Sequence, residues 1–256
     1  MTKLYAIAIN TMREAIRNKV LYSILFFAVL MVAVSAVFGA ASIGDQMKFV
    51  KDFSLMSISL FGVIIAVVLG VSMLHKELGK KTIFNILSKP VPRWQFIAGK
   101  FCGLLVTLML VVLLMSSGLI AFLAAFEGQI DWGLLLAAGM SLLELMVLIA
   151  VALLFSSIVV TPTLAGLFTA AAFIAGRSVY LLDHFFTDEY SGVVRHLTTM
   201  LYWILPHLDR LNIADNIVYG TYFDPSYYLA AFAYAVAYAG AVLLVSAAIF
   251  SRREFA

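Results

Sequence analysis

The chain has 256 residues, of which 64% are hydrophobic and only 12% are charged, and its formal net charge is +3. A soluble domain keeps about 25% of its residues charged, so this composition excludes a soluble globular protein and indicates an integral membrane protein. The single cysteine, Cys102, excludes an internal disulfide and any metal site built from several cysteines.

Residues 1–19 predict an interfacial helix that lies along the membrane before the chain enters it. One helical face carries the apolar residues Tyr5, Ala8, Ile9, Met12 and Ile16. The opposite face carries Asn10, Arg13, Glu14 and Arg17. The alternative is a short cytoplasmic tail. The apolar run that follows is longer than the roughly 7–15 residues of a signal-peptide core, so we expect a retained anchor.

Six stretches reach the roughly 20 apolar residues that a membrane-spanning helix needs. They are residues 20–41, 53–74, 101–126, 132–158, 163–182 and 227–250. Because their apolar runs are continuous rather than alternating, they predict helices and not barrel strands. We therefore expect one all-α transmembrane domain over residues 1–256, with a cytoplasmic loop at 75–100 and an outer loop at 183–226.

Charge predicts the orientation of these spans. The N-terminus, the C-terminus and the loop 75–100 together hold twelve lysines and arginines against three acids, whereas the other side holds five against ten. The positive-inside rule places the basic side in the cytoplasm. Six spans place both termini on one side, and both termini are basic. The sequence thus predicts a multi-pass protein of the cell (inner) membrane with both ends cytoplasmic.

The loop at 75–100 has the pattern of a docking element. Residues 82–88 can form two helical turns, and Pro90 and Pro92 end that helix before Arg93 or Trp94 starts the third span. The apolar side chains on this basic segment are Ile83, Phe84, Ile86 and Leu87. The alternative is an ordinary positive-inside loop with interfacial side chains.

The outer loop at 183–226 contains an apolar, helix-compatible stretch at 193–205 that is too short to span and is followed by Pro206. Amphipathic aromatic rings suited to the headgroup level surround it: Tyr202, Trp203, Tyr219, Tyr222, Tyr227 and Tyr228. We expect a re-entrant or membrane-surface hairpin here.

Glu144 lies near the middle of the fourth predicted span, where an ionised group costs about 2.5–3.5 kcal/mol or more. It either lines a conduit or makes a structural hydrogen bond between helices, for example to a serine or threonine. Arg177 lies near the outer end of the fifth predicted span and can snorkel. The two depths differ by roughly 10 Å at 1.5 Å per residue, which argues against a pair.

Motifs for catalysis and cofactors are absent from the sequence. Gly79-Lys80-Lys81-Thr82 lacks the spacing of a nucleotide-binding P-loop, and no H-E-x-x-H or G-x-S-x-G occurs. The histidines lie at span ends or in loops, where they cannot be the axial ligands of a haem held between spans. We expect no cofactor, no enzymatic activity and no nucleic-acid partner. A transport subunit, a secondary transporter and a membrane anchor for a cytosolic partner remain open.

The segment HKELGKKTIFNILSKPVPRWQFIAGKF, residues 75–101, resembles the cytoplasmic loop of ABC-2-type exporter permeases. The matching residues are Glu77, Gly79 or Lys81 with Thr82, Leu87, the run from Pro90 to Arg93, and Lys100. Lys80 and Lys81 interrupt the more usual Gly-Thr pair. Residues 13–24 are similar to the elbow helix of that family, and residues 250–255 to its C-terminal end. Within the family, the chain looks most like permeases linked to multicopper-enzyme and nitrous-oxide-reductase maturation.

The resemblance implies a non-catalytic permease that pairs with a second copy or a homologue and with separate cytoplasmic ATP-binding subunits, in contact with membrane lipid. The loop around 82–88 would be a coupling helix seated on the ATPase. The docking residues it implies are Glu77, Thr82, Ile83, Phe84, Leu87, Pro90 and Arg93, with Arg13 and Arg17 on the elbow helix. Glu77 and Arg93 are the strongest candidates for polar contacts, and Glu144 is the candidate pathway residue.

Overall fold

The computed structural model describes residues 2–41, 46–79, 92–127, 131–186 and 192–252. Every regular element in these ranges is a helix. The α-helices are α1 (Thr2–Ile16), α2 (Lys19–Ala41), α3 (Gln46–Gly79), α4 (Arg93–Glu127), α5 (Trp132–Ile158), α6 (Pro162–Arg177), α7 (Gly192–Ile204), α8 (Ala214–Val218) and α9 (Pro225–Arg252). Two 3-10 helices, Val179–Phe186 and Asp209–Leu211, lie between α6 and α8.

Four helices in the described ranges are long and apolar enough to cross a membrane: Met47–Glu77, Arg93–Ala125, Trp132–Ile158 and Pro225–Arg252. α1 and α2 pass the same test only as a pair, bent by 60° between Lys3–Ile16 and Lys19–Ser35. α6 has 16 residues, fewer than the roughly 20 that a span needs. The chain is therefore an all-helical membrane protein with four spans by length and composition, or five if the bent pair is one span.

The long helices run between two ends of a bundle. At one end, Glu77 of α3 lies beside Lys100 of α4, and we call this the Lys100 end. At the other end, Lys51 of α3 donates to Asp131 at 3.1 Å, and we call this the Asp131 end. Asp131 also caps α5, because its Oδ1 accepts from the Gly133 amide at 2.9 Å.

α5 is the central helix of the bundle, in contact with α3, α4, α6 and α9. Its sequence is apolar on all sides, as expected of a helix that is surrounded by protein. Residues 144–153 are all buried. Small residues such as Ala150 and Ala152, both fully buried, let neighbouring backbones come close. Ser246 of α9 adds a polar contact to α5, since its Oγ donates to the Leu153 carbonyl at 3.3 Å.

α1 packs along the start of α4, and two glycines make the close approach possible. A Cβ added at Gly99 would lie 2.7 Å from the Ile7 side chain, and one at Gly103 would lie 2.5 Å from the Ala8 carbonyl oxygen. Thr11 and Ala15 are fully buried in this contact region, whereas Tyr5 is 68% exposed. The buried face of α1 is thus a third face, between the two that the sequence predicted.

We expect Gly103→Ala to lower the free energy of unfolding by about 1–3 kcal/mol, because backbone atoms of α1 block the added methyl group. Gly118→Ala, on the same helix, is the matched control, since no described atom lies within 4 Å of its added Cβ. That change should gain about 0.5–1 kcal/mol from helix propensity. SDS-induced unfolding in mixed micelles measures both, and equal effects would contradict the contact.

The fifth predicted span, 163–182, does not continue as one α-helix. α6 ends at Arg177, and the Leu208 amide donates to the Gly176 carbonyl at 3.2 Å. A Cβ on Gly176 would lie 2.7 Å from the Pro206 carbonyl oxygen. The chain after α7 therefore folds back onto the end of α6. α7 occupies the apolar stretch before Pro206, as the sequence predicted for that stretch.

Candidate functional site

Lys100 is the buried centre of a charge cluster at the Lys100 end. Its side chain is 1% exposed, and its Nζ lies 2.5 Å from Oε1 of Glu77 and 3.9 Å from Oε2 of Glu14. Oε1 of Glu14 accepts from Lys76 Nζ at 2.6 Å. The four charges alternate in sign and sum to zero. We call Glu14, Lys76, Glu77 and Lys100 the four-charge cluster.

The four-charge cluster joins three helices around the segment 80–91. Lys76 and Glu77 lie in the last turn of α3 before that segment, Lys100 lies seven residues after the start of α4, and Glu14 belongs to α1. A buried ammonium needs compensation by close anions, because removing one partner leaves a charge without solvent. The cluster therefore holds α1 against the two helices that flank residues 80–91.

Arg93 connects the start of α4 to the end of α9. Its Nη1 donates to the carbonyl oxygens of Phe250 at 2.9 Å and Ser251 at 3.0 Å. A cation at a helix C-terminus satisfies carbonyls that have no partner within the helix and interacts well with the helix dipole. The rings of Phe96 and Phe250 stack beside it, with centroids 5.7 Å apart.

The predicted docking residues in and beside the loop 75–100 divide into two groups. Thr82, Ile83, Phe84, Leu87 and Pro90, and with them the predicted helix at 82–88, lie outside the described residues. Glu77 and Arg93 are described, and both are engaged inside the chain, with Lys100 and with the end of α9 respectively. Their contacts with a partner stay a prediction.

Arg13 and Arg17 line a cleft where α1 meets α2. Both side chains are exposed, as the sequence predicted for that face. Glu14 was placed on the same solvated face, but it turns toward Lys76 and Lys100. The sequence could not reveal this, because Lys76 and Lys100 are distant in the chain and only packing brings them to α1.

Glu144 forms a bidentate ion pair with Arg177 deep in the bundle. Arg177 Nε donates to Oε1 at 2.8 Å, and its Nη2 donates to Oε2 at 3.0 Å. Nη2 also donates to Ser59 Oγ at 2.8 Å, and the Phe173 ring lies 5.2 Å from the guanidinium carbon. Glu144 is 1% exposed and Arg177 31% exposed. The contacts link α5, α6 and α3.

The prediction that Glu144 and Arg177 do not pair is wrong. It measured the depth of Arg177 from the outer end of a span assumed to continue to 182. Measured from the turn between α5 and α6, Glu144 lies 14 residues before Ile158 and Arg177 lies 15 residues after Pro162. At 1.5 Å per residue both lie roughly 21–23 Å from that turn. The predicted start of this span, at 163, agrees with Pro162 to one residue, so the error came from counting depth from the outer end and not from the turn between α5 and α6.

Two roles were left open for Glu144, and the structure shows the contact that belongs to one of them. Its carboxylate makes an interhelical hydrogen bond, although the partner is an arginine and the serine binds the arginine instead. A role in a conduit stays a prediction. Among the residues that the structure describes, no three His, Cys, Asp or Glu side chains converge as metal ligands.

A comparison with protein families matches residues 5–255 to a family described as ABC-2 family transporter protein. The match covers nearly the whole chain, including the four-charge cluster and the Glu144–Arg177 pair. No curated protein matches the chain.

Proposed function

Because the chain belongs to the ABC-2 family of transporter proteins and is a transmembrane permease, we propose that it forms the translocation pathway of an ATP-driven exporter. A separate ATP-binding subunit would hydrolyse ATP, and a second copy of this chain or a homologue would complete the pathway. The closer likeness to permeases of multicopper-enzyme and nitrous-oxide-reductase maturation stays a prediction.

The four-charge cluster is the observation that carries the proposed coupling. A movement of residues 80–91 would reach α3 and α4 through the chain on either side, and this cluster ties the neighbouring ends of α3 and α4 together. The buried Lys100 also connects those ends to α1, the proposed elbow helix. A push on residues 80–91 would therefore move α1, α3 and α4 together rather than bend one helix.

The proposed topology is six crossings with both termini cytoplasmic in the cell (inner) membrane. α2 supplies the first crossing, and α6 with the 3-10 helix Val179–Phe186 supplies the fifth. The Lys100 end faces the cytoplasm, since it carries the basic excess. The segment from α7 to α8 is then a re-entrant outer hairpin, supported by the contact of Leu208 with the end of α6.

One observation favours a second candidate. Paired charges inside the membrane are typical of ion-coupled secondary transporters, and Arg177 and Glu144 form such a pair. The family match favours the ATP-driven function, in which the pair stabilises the packing of α3, α5 and α6. Whether transport depends on an ATP-binding subunit distinguishes the ATP-driven exporter from the secondary transporter.

We expect a tagged chain, purified in mild detergent, to bring down a soluble ATP-binding subunit. Phe84→Ala/Leu87→Ala should reduce the recovered subunit about tenfold or more, because truncating two central apolar contacts costs about 2 kcal/mol each. Met200→Ala/Trp203→Ala is the matched control: both side chains are exposed apolar residues of α7, which follows the other end of α6.

Equal recovery from the two double variants would show that residues 80–91 are not the docking surface. Recovery of the wild-type protein without any ATP-binding subunit, together with transport driven by an ion gradient alone, would replace the ATP-driven proposal by the secondary transporter.

A further inference from the structure

A cleft of about 730 Å³ opens where α1 ends and α2 begins, bent by 60° from each other. Arg13, Arg17 and Lys19 line it, with the amides of Asn10 and Asn18 between them. The Lys76–Glu14 pair forms its remaining wall. Its volume lies in the range of about 300–1,000 Å³ typical of small-ligand sites.

The cleft has a surplus of positive charge. Its one acid, Glu14, is already bound by Lys76 and faces Lys100. The side chains of Arg13, Arg17 and Lys19 are exposed and form no hydrogen bond or ion pair with the part of the chain that the structure describes. Three cations thus face one opening whose single carboxylate is already paired with Lys76.

The backbone adds to the positive electrostatic field of these three side chains. α2 is a helix of 23 residues that begins at Lys19, and a helix N-terminus carries a partial positive charge that favours anions. Asn18 binds two of the first amides there: its Oδ1 accepts from the Val20 amide at 3.0 Å, and its carbonyl oxygen accepts from the Leu21 amide at 3.1 Å. The field of the helix and the three side chains therefore have the same sign.

Exposed apolar side chains continue from the cleft onto α2. Tyr22 is 54% exposed, Phe26 64% and Phe27 57%, and on the α1 side Tyr5 is 68% exposed. In the proposed topology, on which this placement rests, α2 enters the membrane at Lys19, so that the cleft lies at the level of the headgroups and the apolar surface at the level of the acyl chains.

We propose that this cleft binds the phosphate headgroup of an anionic phospholipid, such as phosphatidylglycerol, from the leaflet at the Lys100 end. Arg13 and Arg17 bind the phosphate, Lys19 adds charge, and the acyl chains lie along α2. The apolar surface beside the cleft favours a lipid, since one phospholipid molecule can place its phosphate among the cations and its acyl chains on the adjoining rings of α2. Basic pockets between membrane helices select anionic headgroups in this way.

Native mass spectrometry of the delipidated full chain, titrated with phosphatidylglycerol or phosphatidylcholine, tests the proposal. Phosphatidylglycerol should bind about tenfold tighter or more, since each cation near the surface contributes about a fivefold gain for an anionic lipid. Arg13→Gln and Arg17→Gln should each lose about fivefold in that preference. Arg13→Lys/Arg17→Lys keeps the charge and should keep most of it, which excludes misfolding as the cause.

Arg252→Gln is the matched control, because Arg252 is exposed at the same end but lies on α9. It should leave lipid binding unchanged. Equal affinity for the two lipids, or an equal loss in Arg252→Gln, would overturn the proposal. So would displacement of bound phosphatidylglycerol by inorganic phosphate, which would indicate that the cleft binds a soluble anion. Unchanged lipid binding in Arg13→Gln and Arg17→Gln with loss of the ATP-binding subunit would assign these arginines to the docking surface instead.

Discussion

Glu144→Ala is expected to lower the free energy of unfolding by about 3 kcal/mol, at the lower end for a broken buried ion pair, because the Arg177 guanidinium that loses its carboxylate is itself 31% exposed. Glu144 is 1% exposed and accepts two hydrogen bonds from that guanidinium. Ser59 alone cannot compensate the charge. SDS-induced unfolding in mixed micelles measures the loss. Thr163→Val, at an exposed position of α6, is the control and should change stability little.

A double-mutant cycle separates the ion pair from the packing around it. Glu144→Leu/Arg177→Met replaces both charges by apolar side chains and should cost no more than about 1.5 kcal/mol. Each single change, Glu144→Leu or Arg177→Met, should cost more than the double change. If the two single losses simply add in the double variant, the residues are not coupled, and the pair does not hold α5 and α6 together.

Lys100→Met is expected to be at least as destabilising as Glu144→Ala, with a loss of about 3–5 kcal/mol. It removes the buried cation beside Glu77, whose side chain is only 12% exposed. It also leaves Glu14 with Lys76 as its only cation in the four-charge cluster. We expect α1 to separate from α4, so protease cleavage near residues 17–18 should become faster as stability falls.

Lys76→Met is the matched control for Lys100→Met, because it removes the same charge from the same four-charge cluster. Lys76 is 48% exposed, and exposed ion pairs contribute at most about 1 kcal/mol. The losses in the free energy of unfolding caused by the two substitutions should therefore differ by roughly 2–4 kcal/mol. Equal losses would show that burial does not decide the contribution of Lys100.

The sequence by itself determined the class of protein and much of the helical pattern. Continuous apolar runs require helices in a membrane, and prolines set local boundaries, as at Arg93, where α4 begins after Pro92, and at Ile204, where α7 ends before Pro206. The residues 75–101 also pointed to the family that the match over residues 5–255 shows. These features depend on neighbours along the chain, so they can be read locally.

Only the tertiary structure decided which charges meet. Arg177 reaches Glu144 because α6 starts immediately after α5 and ends where the Leu208 amide meets it, so its depth depends on a segment more than 30 residues further along the chain. Lys100 is buried because Gly99 and Gly103 let α1 approach α4 and bring Glu14 with it. Pairing between charges distant in sequence depends on the packing of whole helices, and hydrophobicity and local charge do not encode that packing.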